Sequence, residues 1–207
     1  MLISVLFVAF LILGCTVKSV PAPAPVSAVA VSKVVVPEPV AEPEPPPPED
    51  PRETIQKLTS FTEAFQFALP TMDDTMDEDS VGATLLGFWA MKHMRLSDVR
   101  VTSSETSYSK VRKDPDAARG KRMCITGMVV QIQLVKTDFG RIFIGLLMSD
   151  SMDLYRFLAV RSTGDLVGKS RGRICGVVTG TYDYHNSGGG TGHAVSLVGV
   201  FDLPENR

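Results

Sequence analysis

Eleven of the fourteen prolines in this 207-residue chain lie between residues 21 and 51. Proline has no amide hydrogen and forces the residue before it into an extended conformation, so neither a helix nor the interior of a sheet can form in such a stretch. Segments of this kind adopt polyproline II structure at about 3.1 Å per residue. We therefore interpret residues 16–51 as a proline-rich disordered stalk. We expect the fold to be built from the roughly 155 residues that follow, the size of one ordinary domain.

An apolar run precedes this stalk and ends in a cysteine. Residues 2–13 carry no charged side chain. They are too few to span a bilayer, which takes about 20 residues, but they fit the core of a secretory signal. The segment Ile12-Leu13-Gly14-Cys15 that closes the run resembles the bacterial lipobox, in which the cysteine is diacylated and becomes the mature N-terminus.

The lipobox resemblance implies where the protein is found. Residues 1–15 would be a lipoprotein signal segment, and Cys15 would carry the lipid, palmitate included, that holds the protein on a membrane of the cell envelope. Thr16 follows the cysteine, and a residue other than Asp there favours the outer membrane over the inner one. The alternative is an uncleaved apolar anchor at the N-terminus.

The other two cysteines are consistent with an exported protein. With Cys15 lipidated, Cys124 and Cys175 remain as an even pair in an oxidising compartment. We predict that they form a disulfide, although the strand register that would bring them together cannot be derived from the sequence. Two buried thiols are the alternative.

Charge is distributed unevenly along the chain. Residues 95–207 carry sixteen Lys and Arg against eleven Asp and Glu, whereas residues 16–94 carry five against twelve. An excess of five positive charges over a domain is mild and does not by itself imply nucleic acid. A location outside the cytoplasm disfavours nucleic acid further, so we do not expect it among the partners.

Residues 52–104 are predicted to form a helical segment packed on a barrel built by the rest of the chain. Asp50 is an N-cap residue, Pro51 suits the first turn and Glu53 completes a capping box, which predicts a helix that runs to Pro70. The acidic residues 73–79 resemble a solvated turn. A second helix is predicted from Val81 to Met94, with an apolar face.

From Gly120 onward the apolar period changes from helical to alternating, which predicts five strands separated by turn residues. The predicted strands are 121–134, 141–148, 153–161, 173–184 and 194–203. Glycines inside several of them suit strands that bend round a corner, as in a small closed barrel.

Two stretches of this region resemble a known family. Residues 112–129, which contain Asp114-Pro115-Asp116 and Gly120-Lys121, look like the opening of the bacterial tRNA-anti-like OB-fold domains. Residues 175–184, with the glycine-rich loop and the final strand after them, look like the last two strands of those domains. The resemblance implies an OB-like barrel over residues 105–207. The expected fold is therefore mainly β with N-terminal helices: a five-stranded OB-like Greek-key barrel preceded by two or three helices. The family motif carries no catalytic residue.

The sequence contains no motif of an enzyme, a metal site or a cofactor site, so we expect a non-catalytic protein with no cofactor. OB-folds bind ligands on the face of their second and third strands and on the adjoining loops. In that region, aromatic rings that stack and arginines that match phosphates or carboxylates predict a ligand site. The candidate ligand-binding residues are Phe139, Arg141, Tyr155 and Arg156. Alternation favours core positions for Phe143 and Phe157.

These observations lead to one functional expectation. The protein is expected to be a membrane-anchored lipoprotein whose non-catalytic OB-like domain binds a protein or an envelope carbohydrate. The alternative is a structural component of a cell-envelope assembly with no small ligand, and an enzyme ranks third.

Overall fold

The front half of the domain is helical, as seen in a computed structural model that describes residues 49–207. The helices before the long strands are α1 (Pro51–Lys57), α2 (Phe61–Ala68), α3 (Val81–His93), α4 (Leu96–Val99), α5 (Tyr108–Lys113) and α6 (Pro115–Ala118). Asp50 caps α1 as predicted, since its carboxylate accepts a backbone amide bond 2.9 Å long. The predicted second helix also forms, and Ser80 caps it.

The first predicted helix is divided into two, which corrects the expectation of one helix up to Pro70. Helix α1 ends at Lys57, and the Ser60 hydroxyl starts α2 by accepting a backbone amide bond of 3.1 Å. The break leaves the carbonyl of Leu58 outside the helix, where it accepts a 2.9 Å hydrogen bond from the Trp89 indole. The hydrogen bond from Trp89 of α3 thus accompanies a break in a helix that the regular spacing of apolar residues predicted to be continuous.

Five long strands follow at the predicted places. They are β2 (Arg122–Thr137), β3 (Gly140–Ser149), β4 (Leu154–Val160), β5 (Arg171–His185) and β6 (Thr191–Phe201). The two residues of β1 (Thr75–Met76) pair in parallel with Tyr182 and Asp183 of β5. The result is one six-stranded sheet of order β1-β5-β2-β3-β4-β6, with a further pairing between β5 and β6. The structure is therefore mainly β with helices in front, and its sixth strand corrects the expectation of five.

The disulfide lies between two neighbouring strands of this sheet. Cys124 and Cys175 stand directly opposite each other in the antiparallel β2–β5 pair, with their Cα atoms 4.0 Å apart and their sulfurs bonded at 2.01 Å. The predicted disulfide is confirmed, and its register follows from the pairing of the two strands.

Two apolar layers hold the domain together. One lies inside the curved sheet and includes Phe157 and Phe201, both fully buried and 5.2 Å apart between ring centroids. The other lies between the helices and the outer face of the sheet, where α3 packs on β3, β4 and β6. Gly87 permits the close approach of α3, because a Cβ atom there would lie 2.9 Å from Cδ1 of Ile142.

Several predictions fall on residues that the structure does not describe. The signal segment 1–15, the lipidation of Cys15 and nearly all of the stalk 16–51 lie outside residues 49–207, so they stay predictions. None of the helices in the described part has the length and apolar character needed to cross a membrane.

Candidate anion-binding cleft

A cleft of about 1010 Å³ opens where the end of α3, helix α4, the start of β5 and the last residues of the chain meet. Its lining residues are Lys92, Arg95, Leu96, Ser97, Arg100, Val101, Thr102, Arg161, Arg173, Glu205, Asn206 and Arg207. Six of these side chains are cationic and one is a carboxylate. Five of the six cations are arginines, which keep their charge at any physiological pH and present several N–H donors each.

Local packing directs two of these cations toward the cleft. Helix α4 is anchored by Leu96 and Val99, which are three residues apart and almost fully buried. The residues on either side of the helix, Arg95 and Arg100, are exposed as a consequence. A four-residue helix with two buried anchors therefore holds a cation at each end.

A buried carboxylate gathers three of the arginines. The Asp202 side chain is only 4% exposed and lies 3.0 Å from Arg207, 3.6 Å from Arg100 and 3.9 Å from Arg173. These arginines come from three separate parts of the chain. One carboxylate cannot use all their N–H groups, so donors remain for a ligand.

The other three cations surround the C-terminal end of α3. The Arg161 guanidinium donates to the backbone carbonyls of Met94 (3.0 Å) and Lys92 (3.5 Å), which are neutral acceptors. Among the ion pairs of residues 49–207, none involves Lys92, Arg95 or Arg161. Cations do stabilise a helix C-terminus. That effect is limited to the last turn, so it does not explain cations contributed by β5 and the chain end.

The structure does not bring the four predicted ligand-binding residues together. Arg141 is exposed at the start of β3, whereas the Phe139 ring packs 5.3 Å from that of Phe88 in α3. Tyr155 is 5% exposed inside the sheet, beside the ring of Tyr108 at 5.5 Å. Burial raises the pKa of the Tyr155 hydroxyl. The strand face expected to bind ligand is partly covered by the protein's own helix α3.

Arg156, the fourth of these residues, already has partners. Its guanidinium makes two hydrogen bonds to Asp79, 2.9 and 2.6 Å long, and lies 4.8 Å above the ring of Tyr182. Burial alone would lower the pKa of Arg156, but the hydrogen bonds and charge of Asp79 outweigh burial and raise it. This arginine therefore attaches the acidic segment to the sheet.

The acidic segment 73–79 is largely exposed, as the sequence suggested, but several of its carboxylates also bind the sheet and the segments around it. Asp74 contacts Arg119 at 3.1 Å, and Asp77 accepts bonds from the backbone N–H of His185 and contacts its ring at 2.6 Å. These bonds, the backbone one first, lower the pKa of Asp77. His193 pairs separately with Asp183 at 2.8 Å. In residues 49–207 no group of three or more His, Cys, Asp or Glu side chains could hold a metal ion.

Sequence reasoning missed the residues of the basic cleft. The signal that could have found them is the positive excess after residue 95, but the cleft cations are spread from residue 92 to residue 207 and form no local motif. Only folding brings them to one place.

Comparison with known proteins gives a structural similarity and no family match. No protein-family model matches the chain, and no curated protein matches it. A solved structure to which it is similar is the mitochondrial single-stranded DNA binding protein of S. cerevisiae, with 15% sequence identity. The similarity covers 42% of this chain and 95% of that chain, at a TM-score of 0.28.

This similarity corrects one expectation. We expected nucleic acid to be absent from the partners, and that exclusion is wrong, because this similar structure is itself a DNA-binding protein. A TM-score this low carries no argument about what the present chain binds. The exclusion is withdrawn, and no partner is assigned in its place.

Proposed function

We propose that this chain is a membrane-anchored lipoprotein that presents a non-catalytic OB-like domain, and that the domain works by binding an anionic ligand in the basic cleft. The observation that carries the binding role is the convergence of six cationic side chains, contributed by separate elements, on one cleft. Because arginine does not release its proton at physiological pH, such a lining suits binding better than acid–base catalysis.

The strand pairings support the OB-like assignment. Strand β2 pairs with β3 and β5, β4 pairs with β3 and β6, and β6 pairs with β5. Each of the five long strands thus has two neighbours, and the β4–β6 contact is parallel whereas the others are antiparallel. This order of pairing supports a five-stranded Greek-key barrel of the OB kind. The short strand β1 adds to its outside.

The anchor is supported by the sequence. An apolar run that ends in Gly14-Cys15 and precedes a proline-rich spacer is typical of a lipoprotein, and it favours the cell envelope, with the outer membrane ahead of the inner one. The test is Cys15→Ser in the full chain, followed by membrane fractionation and mass spectrometry of the N-terminus. Loss of acylation is expected, and the chain should be left either unprocessed or released from the membrane. An intact, unlipidated Met1 N-terminus on the wild-type protein would overturn the anchor.

The binding role is tested by titration of the full chain in detergent with citrate, which is used here as a simple multivalent anion. A ligand that binds only the folded state raises its stability, by about 2.7 kcal/mol at a hundredfold excess over Kd. We expect citrate to raise the unfolding temperature of the wild type and to do so much less in Arg95→Ala. Arg141→Ala removes an exposed arginine outside the cleft and is the matched control.

A different result would favour the second candidate. If neither citrate nor sulfate raises the unfolding temperature, or if Arg95→Ala and Arg141→Ala respond alike, the cleft is not an anion site. A structural component of an envelope assembly with no small ligand would then be the better description.

A further inference from the structure

We infer that the ligand of the basic cleft carries at least two phosphate groups. This inference rests on the proposed function, because it names the class of anion that the same cleft takes. It is carried by three features of the cleft: the balance of charge, the directions from which the donors come, and the division of the cations into two groups.

The first feature is the charge left for a ligand. Among the lining side chains, six are cations and Glu205 is the carboxylate, and the buried Asp202 contacts three of the arginines. Four positive charges therefore remain uncompensated. A carboxylate supplies one negative charge, whereas a phosphate monoester supplies about 1.5 to 2 at neutral pH. Two phosphate groups match the cleft, and four carboxylates would be needed to do the same.

The second feature is the arrangement of donors around the cleft. The cations come from the end of α3, the two ends of α4, the residue after β4, the start of β5 and the chain terminus. Donors from several directions suit a tetrahedral group with three acceptor oxygens better than a planar carboxylate, which accepts within one plane. The lining contains no aromatic ring, so the ligand is held by its charged groups rather than by stacking.

The third feature is that the cations form two groups fixed by different means. Asp202 gathers Arg100, Arg173 and Arg207, while Lys92, Arg95 and Arg161 surround the end of α3. The first group is partly neutralised by its carboxylate. In the second group the Arg161 guanidinium donates to neutral carbonyls, and among residues 49–207 no ion pair involves Lys92, Arg95 or Arg161. Each group offers donors for one phosphate, which gives the ligand two points of attachment.

Calorimetric titration of the full chain in detergent tests this inference. The probes are tripolyphosphate, orthophosphate and citrate. Tripolyphosphate is expected to bind at least about tenfold more tightly than citrate and than orthophosphate, since it can accept more charge-assisted hydrogen bonds from the two groups of cations. Arg95→Ala and Arg207→Ala, one from each group, are each expected to weaken tripolyphosphate about tenfold. Arg141→Ala should leave it unchanged.

The two-group arrangement predicts a further effect. In Arg207→Ala the advantage of tripolyphosphate over orthophosphate should shrink, because one of the two attachment points is weakened. Lys92 is exposed and has no carboxylate partner among residues 49–207. Lys92→Ala should therefore also reduce the advantage of tripolyphosphate over orthophosphate, by weakening the other group of cations. It therefore checks the result if Arg207→Ala perturbs folding.

The failures of the two proposals can be told apart. If citrate binds as tightly as tripolyphosphate and both depend on Arg95, the anion cleft stands and the phosphate class is wrong. If no probe binds, both proposals are wrong. If a single-stranded oligonucleotide binds more tightly than tripolyphosphate and loses affinity in Arg95→Ala, nucleic acid replaces the small ligand and this inference is overturned.

The source of the phosphate is distinguished by vesicles. The Cys15→Ser chain is mixed with phosphatidylglycerol vesicles and, separately, with phosphatidylcholine vesicles. Binding to the phosphatidylglycerol vesicles alone, with a dependence on Arg95, would assign the phosphates to lipid headgroups. Binding of tripolyphosphate without vesicle binding would assign them to a soluble ligand. Both results uphold the phosphate chemistry.

Discussion

Arg156 of β4 and Asp79, the residue before the cap of α3, form a two-point ion pair whose side chains are only 11% and 14% exposed. The pair joins residues 77 positions apart in the sequence. Because β4 also pairs with β3 and β6, the ion pair links the start of α3 to the sheet.

Removal of one partner of this pair should be costly. Breaking a buried ion pair leaves an uncompensated charge and typically costs about 3–5 kcal/mol. We expect Asp79→Asn to lower the free energy of unfolding by about 2–4 kcal/mol in urea denaturation, since the pair is slightly exposed. The matched control is Asp150→Asn. Asp150 lies 2.5 Å from Arg171, but both of these side chains are more than 60% exposed. Such exposed pairs contribute about 0–1 kcal/mol, and equal effects for the two variants would contradict the prediction.

The disulfide should contribute a comparable amount. It closes a loop of 51 residues, for which the chain-entropy relation gives about 4 kcal/mol. The double variant Cys124→Ser/Cys175→Ser is therefore expected to unfold at markedly lower urea concentration than the wild type. Reductant should lower the stability of the wild type and leave that of the double variant unchanged. Labelling of two free thiols at these positions in the unreduced, denatured protein would refute the bridge.

The parts of the fold that local patterns determine could be predicted from the sequence. Alternation gave the five long strands to within a few residues, and Asp50 marked the start of α1 correctly. The break in the first predicted helix could not be seen, since it depends on a bond from Trp89 to the carbonyl of Leu58, 31 residues away. Strand β1 was missed for the same reason, because its partner Tyr182 is more than 100 residues further along.

The candidate site was harder to predict than the fold. Alternation left both Tyr155 and Arg156 outside the sheet. Arg156 is outside, but Asp79 binds its guanidinium, and Tyr155 is instead buried inside the sheet. The face expected to bind ligand is partly covered by α3, and the close approach of that helix depends on Gly87. The cleft depends on Asp202, whose three arginine partners lie as far as 102 residues away. No local pattern encodes a cluster of that kind.

Asp77 should make the stability of the domain sensitive to acid. The backbone N–H and ring of His185 hold the pKa of Asp77 below its usual value. The ordinary pKa of this carboxyl, which applies in the unfolded chain, is 3.8. A carboxylate whose pKa is lower in the folded state stabilises the fold at pH values above its unfolded pKa. This stabilisation is lost as the pH falls through the folded-state pKa. We expect the wild type to lose stability more steeply than Asp77→Asn between about pH 5 and pH 2, in urea unfolding measured at each pH.

This substitution is chosen to leave the backbone unaffected. Asp77 has a positive φ of 63°, and asparagine tolerates that conformation at least as well as aspartate. The variant thus removes the charge without adding strain. Identical pH profiles for the wild type and Asp77→Asn would show that Asp77 does not contribute to the acid sensitivity.

The close contact between α3 and the sheet gives the last prediction. A side chain at Gly87 would enter the layer between α3 and the strands, where even a Cβ atom lies 2.9 Å from Ile142 and 3.5 Å from Leu158. Overpacking of this kind costs about 1–3 kcal/mol, so Gly87→Val should destabilise the domain by that amount, although valine is the better helix former. Lys92→Val introduces the same residue at an exposed position of the same helix and should change the stability by less than about 1 kcal/mol. Urea unfolding of the two variants checks this, and equal stabilities would show that α3 can move away from the sheet without loss of packing.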